Sequence, residues 1–272
     1  MESHIENKIK TRLEAGFKIN INEIFSKSTE IFKGIAGYAI LALIVYYILN
    51  GVINYFLGFI FPGSALNYTE IMESIQSGDN DELIETLTEY SENSSSISSI
   101  ISSIVSFALY PILFSIYTMA YKFDHYKNVE FSDLFVHYKD GKFVRIFLVS
   151  VIIYVVSMIG LVFCIIPGII VYTMWMLVIP LVIFADAKVS EALTYSMKLA
   201  FKDFGSFLLF LLAIFGVIII GILLCCVGLI GAIPFTFVLT YVLYKEVVGF
   251  TNDNNEIEEI GTDIYKDNPY MN

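Results

Sequence analysis

Charge is missing from more than half of this sequence. The windows 34–69, 93–121, 146–185 and 204–244 contain no Asp, Glu, Lys or Arg, and all 16 basic and 27 acidic residues lie outside them. A soluble domain spreads charge through its surface helices and strands, so this segregation excludes a soluble globular protein. Histidine is scarce too: His4, His125 and His137 are the only three, and none falls in a window. Windows without carboxylate, Lys, Arg or His argue against a proton- or sodium-driven pump built on intramembrane charges. Alternation of polar and apolar residues is lacking, which excludes a membrane β-barrel. Residues 1–30 are charged throughout and lack the apolar core of a secretory signal, so none is expected. With a net charge of −11 the chain has no concentrated basic face, which argues against a nucleic-acid partner.

What is present is apolar: 57% of residues are hydrophobic and 15% aromatic, which excludes disorder. A membrane-crossing helix needs roughly 20 apolar residues. The first window holds one span, about 34–60, stopped by Phe61-Pro62-Gly63. The second also holds one, about 100–121, after a Ser-rich start. The third and fourth are about twice a spanning length and divide into hairpins, 146–163 with 168–185 and 205–224 with 228–244. The fold class is therefore an all-α polytopic membrane protein with six transmembrane helices. An amphipathic segment over 1–33 precedes the 34–248 domain, an acidic loop fills 62–96, and the acidic tail 249–272 reads as disordered.

Orientation follows from the cations. They lie before span one, between spans two and three (Lys122, Lys127, Lys139, Lys142, Arg145), between spans four and five (Lys188, Lys198, Lys202) and after span six, all on one face. The loop after span one has eight acids from Glu70 to Glu92 and no cation. By the positive-inside rule the basic face and both termini are cytoplasmic, in a bacterial inner membrane.

The segments entering spans one, three and five rhyme: Asn22-Glu23-Ile24-Phe25, Ser132-Asp133-Leu134-Phe135 and Ser190-Glu191-Ala192-Leu193. Each offers a helix N-cap and an acid, then an amphipathic stretch. The pattern predicts three repeats of a cytoplasmic interface helix feeding a transmembrane hairpin; ordinary capped loops before spans would read similarly. Ile5, Ile9, Leu13 and Phe17 predict a further interface helix, on the anionic inner leaflet. Within the acidic loop, 70–76 and 82–90 carry apolar residues spaced for two short amphipathic helices.

Ile166-Pro167-Gly168-Ile169, then Trp175, Pro180 and the stretch from Ser190-Glu191-Ala192 to Phe201 carry a resemblance. Over about 130–248 the chain resembles a bacterial six-span group that includes the membrane domain of glycerophosphoryl diester phosphodiesterases and related uncharacterised families. In those phosphodiesterases catalysis belongs to a separate soluble domain, so the resemblance implies a membrane fold and no catalytic residue.

Candidate chemistry is sparse, with no catalytic, cofactor-binding or metal-ligating set. His125 follows Asp124 and His137 lies twelve residues on, without tight ligand spacing, which suits interfacial residues near lipid headgroups. Cys164, Cys225 and Cys226 fall at outer turns of neighbouring hairpins, where Cys164 is placed to form a disulfide with Cys225 or Cys226 or else to pack as a small apolar residue. Pro111, Pro180 and Pro234 each remove a backbone donor within a span, bending it or freeing carbonyls toward a cavity. Asn50 and Asn54, Tyr110 and Tyr117, and Thr236 and Thr240 form polar stripes that suit interhelical hydrogen bonds or, with Pro180, the lining of a cavity. Tyr46, Tyr47, Tyr241 and Tyr244 read alternatively as interface aromatics. Asp124, Asp186, Asp203 and His125 are the loose candidates for an enzyme acting on lipid. The sequence favours a non-enzymatic membrane protein that binds lipids or serves as a subunit of a membrane assembly, with a transporter or channel for a small or amphiphilic solute as the alternative.

Overall fold

The computed structural model describes residues 4–60, 68–77, 81, 83–86, 88, 96–163, 165–224 and 227–250. Among them there is no strand, and six helices are long and apolar enough to cross a membrane. The chain is an all-α polytopic membrane protein. Helix α1 covers His4–Ala15, α2 Ile21–Ile60 and α3 Tyr68–Ser77. Helix α4 covers Ser96–Tyr126, followed by a 3-10 turn at Phe131–Phe135 and the short α5, Val136–Lys139. Helices α6 (Phe143–Phe163), α7 (Ile165–Met174), α8 (Val178–Phe184), α9 (Val189–Lys202), α10 (Phe204–Leu223) and α11 (Leu229–Val247) follow among the described residues. The tail 251–272, the loop's second helix, and Cys164, Cys225 and Cys226 with their disulfide lie wholly or partly outside the described residues.

The first span departs from the sequence reading. No separate interface helix precedes it, because α2 runs unbroken for 40 residues, roughly 60 Å and about twice the hydrocarbon thickness. No Gly-Pro breaker interrupts 21–36, and Ile24, Ser28, Ile31 and Ile35 bury one continuous stripe, flanked by Lys27, which pairs with Glu23 and with Glu246. The charges mark where the helix leaves the membrane, not where it begins. Helix α2 packs along α4 and α11. The segments before the other two hairpins do form separate elements, and their acids act alike. Asp133 accepts from the Glu130 N–H at 3.0 Å, and Glu191 from the Lys188 N–H at 3.0 Å.

Those two elements fold back on the bundle. The Tyr138 hydroxyl donates to the Ala108 carbonyl of α4 at 2.8 Å, one residue beyond the carbonyl that Pro111 deprives of its helical partner. Helix α9 buries Ala192, Ser196, Leu199 and Ala200 against α7 and α8. Helix α1 likewise faces protein: Ile9 is buried and Lys8 donates to the Gly249 carbonyl, while Phe17, just beyond the helix, meets Phe207 edge-on at 6.3 Å. An apolar stripe is satisfied equally by lipid or by a neighbouring helix, and here the neighbour is present. Tyr241 and Tyr244 are also buried, packed with Tyr121 and Phe184 around Phe250, so they form no interface belt.

Both hairpins close through glycines. A Cβ at Gly160 of α6 would meet the Gly168 Cα of α7 at 3.0 Å, and one at Gly221 of α10 would meet Ala232 of α11 at 2.9 Å. Such small residues let helices approach in lipid, where packing drives association. At the basic end Lys142 donates to the Ile183 carbonyl at 2.5 Å, while Arg145 donates to the Asp186 carbonyl at 2.8 Å and pairs with its carboxylate at 2.6 Å. Cations at the end of α8 complement its dipole and tie it to the start of α6.

Candidate functional site

The fourth span is two helices. Between α7 and α8 the backbone breaks at 175–177, one turn before Pro180 of α8, whose missing N–H leaves the Met176 carbonyl without a helical partner. A serine from the neighbouring helix α9 completes the break. Ser196 Oγ donates to the Met174 carbonyl at 2.7 Å and accepts from the Leu177 N–H at 3.2 Å. Two main-chain groups that would otherwise be orphaned in a buried site are thereby paired.

Beside this break lies a cavity of about 520 Å³. Helix α4 contributes Tyr110, Leu113, Phe114 and Tyr117 to its wall, α6 contributes Ser150, Ile153, Tyr154, Ser157 and Met158, and α11 contributes Thr236, Phe237 and Thr240. Tyr172, Trp175, Met176 and Ile179 come from the broken span and Ile214 from α10. Helices α4 and α6 and the broken span each present residues at i, i+3/i+4 and i+7, the spacing of one face. No lining residue is charged.

The cavity has a closed end and an exposed rim. Ser150, Tyr117 and Thr240, toward the basic face, are 5%, 6% and 6% exposed. Tyr154 and Met158, farther along α6, and Tyr172 of α7 are 43%, 45% and 51% exposed. Position along α6, α7 and α4 places the rim on the side away from the basic loops.

Of the residues singled out from the sequence, Tyr110, Tyr117, Thr236 and Thr240 line this cavity. Pro180 is buried next to the lining residue Ile179 and belongs to the break. Asn50 and Asn54 lie elsewhere, in a hydrogen-bonded ladder between α2 and α4. Asn50 donates to Ser106 Oγ at 2.8 Å, Ser102 donates to Asn54 Oδ1, and Asn54 Nδ2 donates to Asn50 at 2.8–2.9 Å. Polar stripes on paired spans find each other, and these two asparagines do so away from the cavity. The sequence reading missed Ser150, Tyr154 and Ser157, although their i, i+4, i+7 spacing on α6 was a legible polar stripe. It also missed Trp175 and Tyr172, isolated aromatics that carry no pattern.

The remaining polar candidates have structural partners. Asp124 Oδ2 accepts from the Tyr241 hydroxyl at 2.8 Å and from Lys245 at 2.7 Å, joining α4 to α11. Asp186 holds Arg145, and Asp203 accepts from the Ser206 N–H at the start of α10. His125 stacks on Tyr121 at 4.3 Å. His137 is buried rather than interfacial, at 1% exposure; its Nδ1–H donates to Asp140 at 2.8 Å and its Nε2 accepts from Thr118 at 3.3 Å. Burial pushes its pKa down, against the upward pull of Asp140, so the ring is neutral at pH 7. Among the described residues no cluster of His, Cys, Asp and Glu is placed to hold a metal. No protein-family model, curated protein or solved structure matches this chain.

Proposed function

We propose that this membrane protein is a non-enzymatic binder that holds a lipid-like amphiphile in the cavity between its spans. One observation carries the reading: a cavity of about 520 Å³ in the membrane-spanning bundle, closed at one end and walled by apolar chains, aromatic rings and hydroxyls without a charge. Its volume falls within the roughly 300–1,000 Å³ of small-molecule sites. The engagement of Asp124, Asp186 and Asp203 in ties between helices and at a helix start supports a role other than catalysis. The setting we infer is a bacterial inner membrane with the basic face and both termini in the cytoplasm, on the one-sided distribution of cations.

The test is retention. Protein purified in mild detergent and extracted with organic solvent should release one amphiphile per chain, and Ser150→Trp, which sets an indole across the closed end, should release less. Recovery of no reproducible lipid from the parent protein sinks the proposal. A second reading, carriage of such a molecule across the bilayer, is favoured by the break at 175–177 on the cavity wall, since discontinuous spans frame the sites of many transporters. Reconstituted vesicles that move a labelled amphiphile faster than protein-free vesicles would distinguish it from binding alone.

A further inference from the structure

The hydroxyls of the cavity divide into two sets, and the division points to the chemistry of the ligand. At the closed end Ser150 donates to the Ile146 carbonyl at 2.8 Å and Thr240 to the Thr236 carbonyl at 2.9 Å. Thr236 donates to the Ile233 carbonyl at 2.7 Å. Serine and threonine in spans habitually bond back one turn in this way. Their protons are consumed, the Tyr117 hydroxyl beside them is hydrogen-bonded to Thr240, and the rest of the lining there includes Leu113, Ile153, Ile179, Ile214 and Phe237. Ser157 differs. Its Oγ is buried and makes no hydrogen bond among the described residues, and it lies at the rim with Tyr154 and Tyr172. A buried hydroxyl without a partner costs about 1–3 kcal/mol, so it marks a place where a polar atom belongs.

Charge sharpens the assignment. The wall has no ionised group, and the windows 34–69, 93–121, 146–185 and 204–244 supply no Lys or Arg on the rim side. An anionic head seated against the buried Ser157 Oγ would lose water on that side with no counter-charge, which is unfavourable. Resting on the amphiphile reading, we propose that the cavity takes an uncharged single-chain amphiphile, tail toward Ser150 and Thr240, whose hydroxyl or carbonyl head accepts a hydrogen bond from Ser157 at the rim. The class comprises long-chain or isoprenoid alcohols and neutral esters, as opposed to phospholipids, fatty-acid anions or cationic amphiphiles.

Trp175 is the single tryptophan of the chain and lines the cavity, so its emission reports occupancy directly. The experiment titrates the full-length protein, in a neutral detergent, with three bromine-labelled quenchers sharing one chain: a dibrominated long-chain alcohol, the sulfate ester of that alcohol, and the corresponding hydrocarbon. The alcohol should quench Trp175 saturably, the hydrocarbon should need a severalfold higher concentration, and the sulfate ester should need at least about tenfold more. Ser157→Ala should weaken the alcohol roughly fivefold, the worth of one hydrogen bond, and leave the hydrocarbon unchanged. Tyr172→Phe provides a second rim variant should Ser157→Ala purify poorly. A sulfate ester that quenches as well as the alcohol overturns this inference while leaving amphiphile binding intact. So does a Ser157→Ala effect equal for alcohol and hydrocarbon. Quenching by none of the three above the level of a free tryptophan in the same detergent overturns the binding reading itself.

Discussion

Replacing Ser196 by alanine should expose how the broken span is held. The hydroxyl sits on α9, buried, and serves α7 and α8 at once, as donor to Met174 and acceptor from Leu177. Removing one oxygen leaves almost no void, so the loss is polar rather than one of packing. Each backbone group left buried and unpaired costs about 1–3 kcal/mol, so with two such groups Ser196→Ala should cost about 2–6 kcal/mol. Ser196→Cys, with a weaker donor and acceptor of nearly the same shape, should fall between alanine and the parent. Titration from mild detergent into a denaturing one, followed by helical ellipticity, measures the change. Trp175, one residue after Met174 in the broken turn, gives a local optical readout of the same transition. An Ser196→Ala protein within about 0.5 kcal/mol of the parent, with unchanged Trp175 emission, would refute the assignment of Ser196 as the link across the break.

Three further outcomes follow from other contacts. Gly160→Ala pushes a Cβ to within 3.0 Å of the Gly168 backbone and should cost about 1–3 kcal/mol, whereas Gly37→Ala meets nothing within 4 Å and should be neutral or slightly stabilising; equal effects in unfolding titrations would contradict the close crossing of α6 and α7. Tyr241→Phe should cost about 1.5–3 kcal/mol by removing a hydrogen bond to the Asp124 carboxylate, and less in an Asp124→Asn background; a double-mutant cycle with no coupling contradicts the pair. Because burial lowers the His137 pKa below 6.5, the unfolded chain takes up the proton before the folded one does. Stability should therefore be full above that value and fall as pH drops below it, and His137→Gln should flatten this dependence; an unchanged slope in the variant would show that other groups govern it.

The fold was legible because membrane solvation acts on composition. Uncharged windows set the number of spans, and Phe61-Pro62-Gly63 and the doubled window lengths located their divisions. Boundaries were less legible, since charge ends a window without ending a helix: Lys27, Glu30 and Lys33 ride on α2 while Ile24 and Ile31 keep it packed. The break in span four was half visible. Pro180 is a local signal, but the hydroxyl that makes the break tolerable comes from Ser196, nineteen residues beyond Leu177, a tertiary pairing that no local pattern encodes. The cavity followed the same rule. Stripes such as Thr236 and Thr240 show which face is polar, yet Asn50 and Asn54 satisfy each other and α4 serines, and only helix pairing decides which stripes face an empty volume. The α1 stripe was read correctly as amphipathic and its partner was not, because periodicity cannot distinguish lipid from protein.

The most direct test is a density map of the protein in a lipid nanodisc, resolved well enough to place side chains around Trp175. The account predicts one elongated, unbranched density between α4, α6, α8 and α11, with its broader end at Ser157 and its tail toward Ser150 and Thr240. A cavity closed by inward movement of these helices, or one filled by ordered water, would contradict the binding of an amphiphile there.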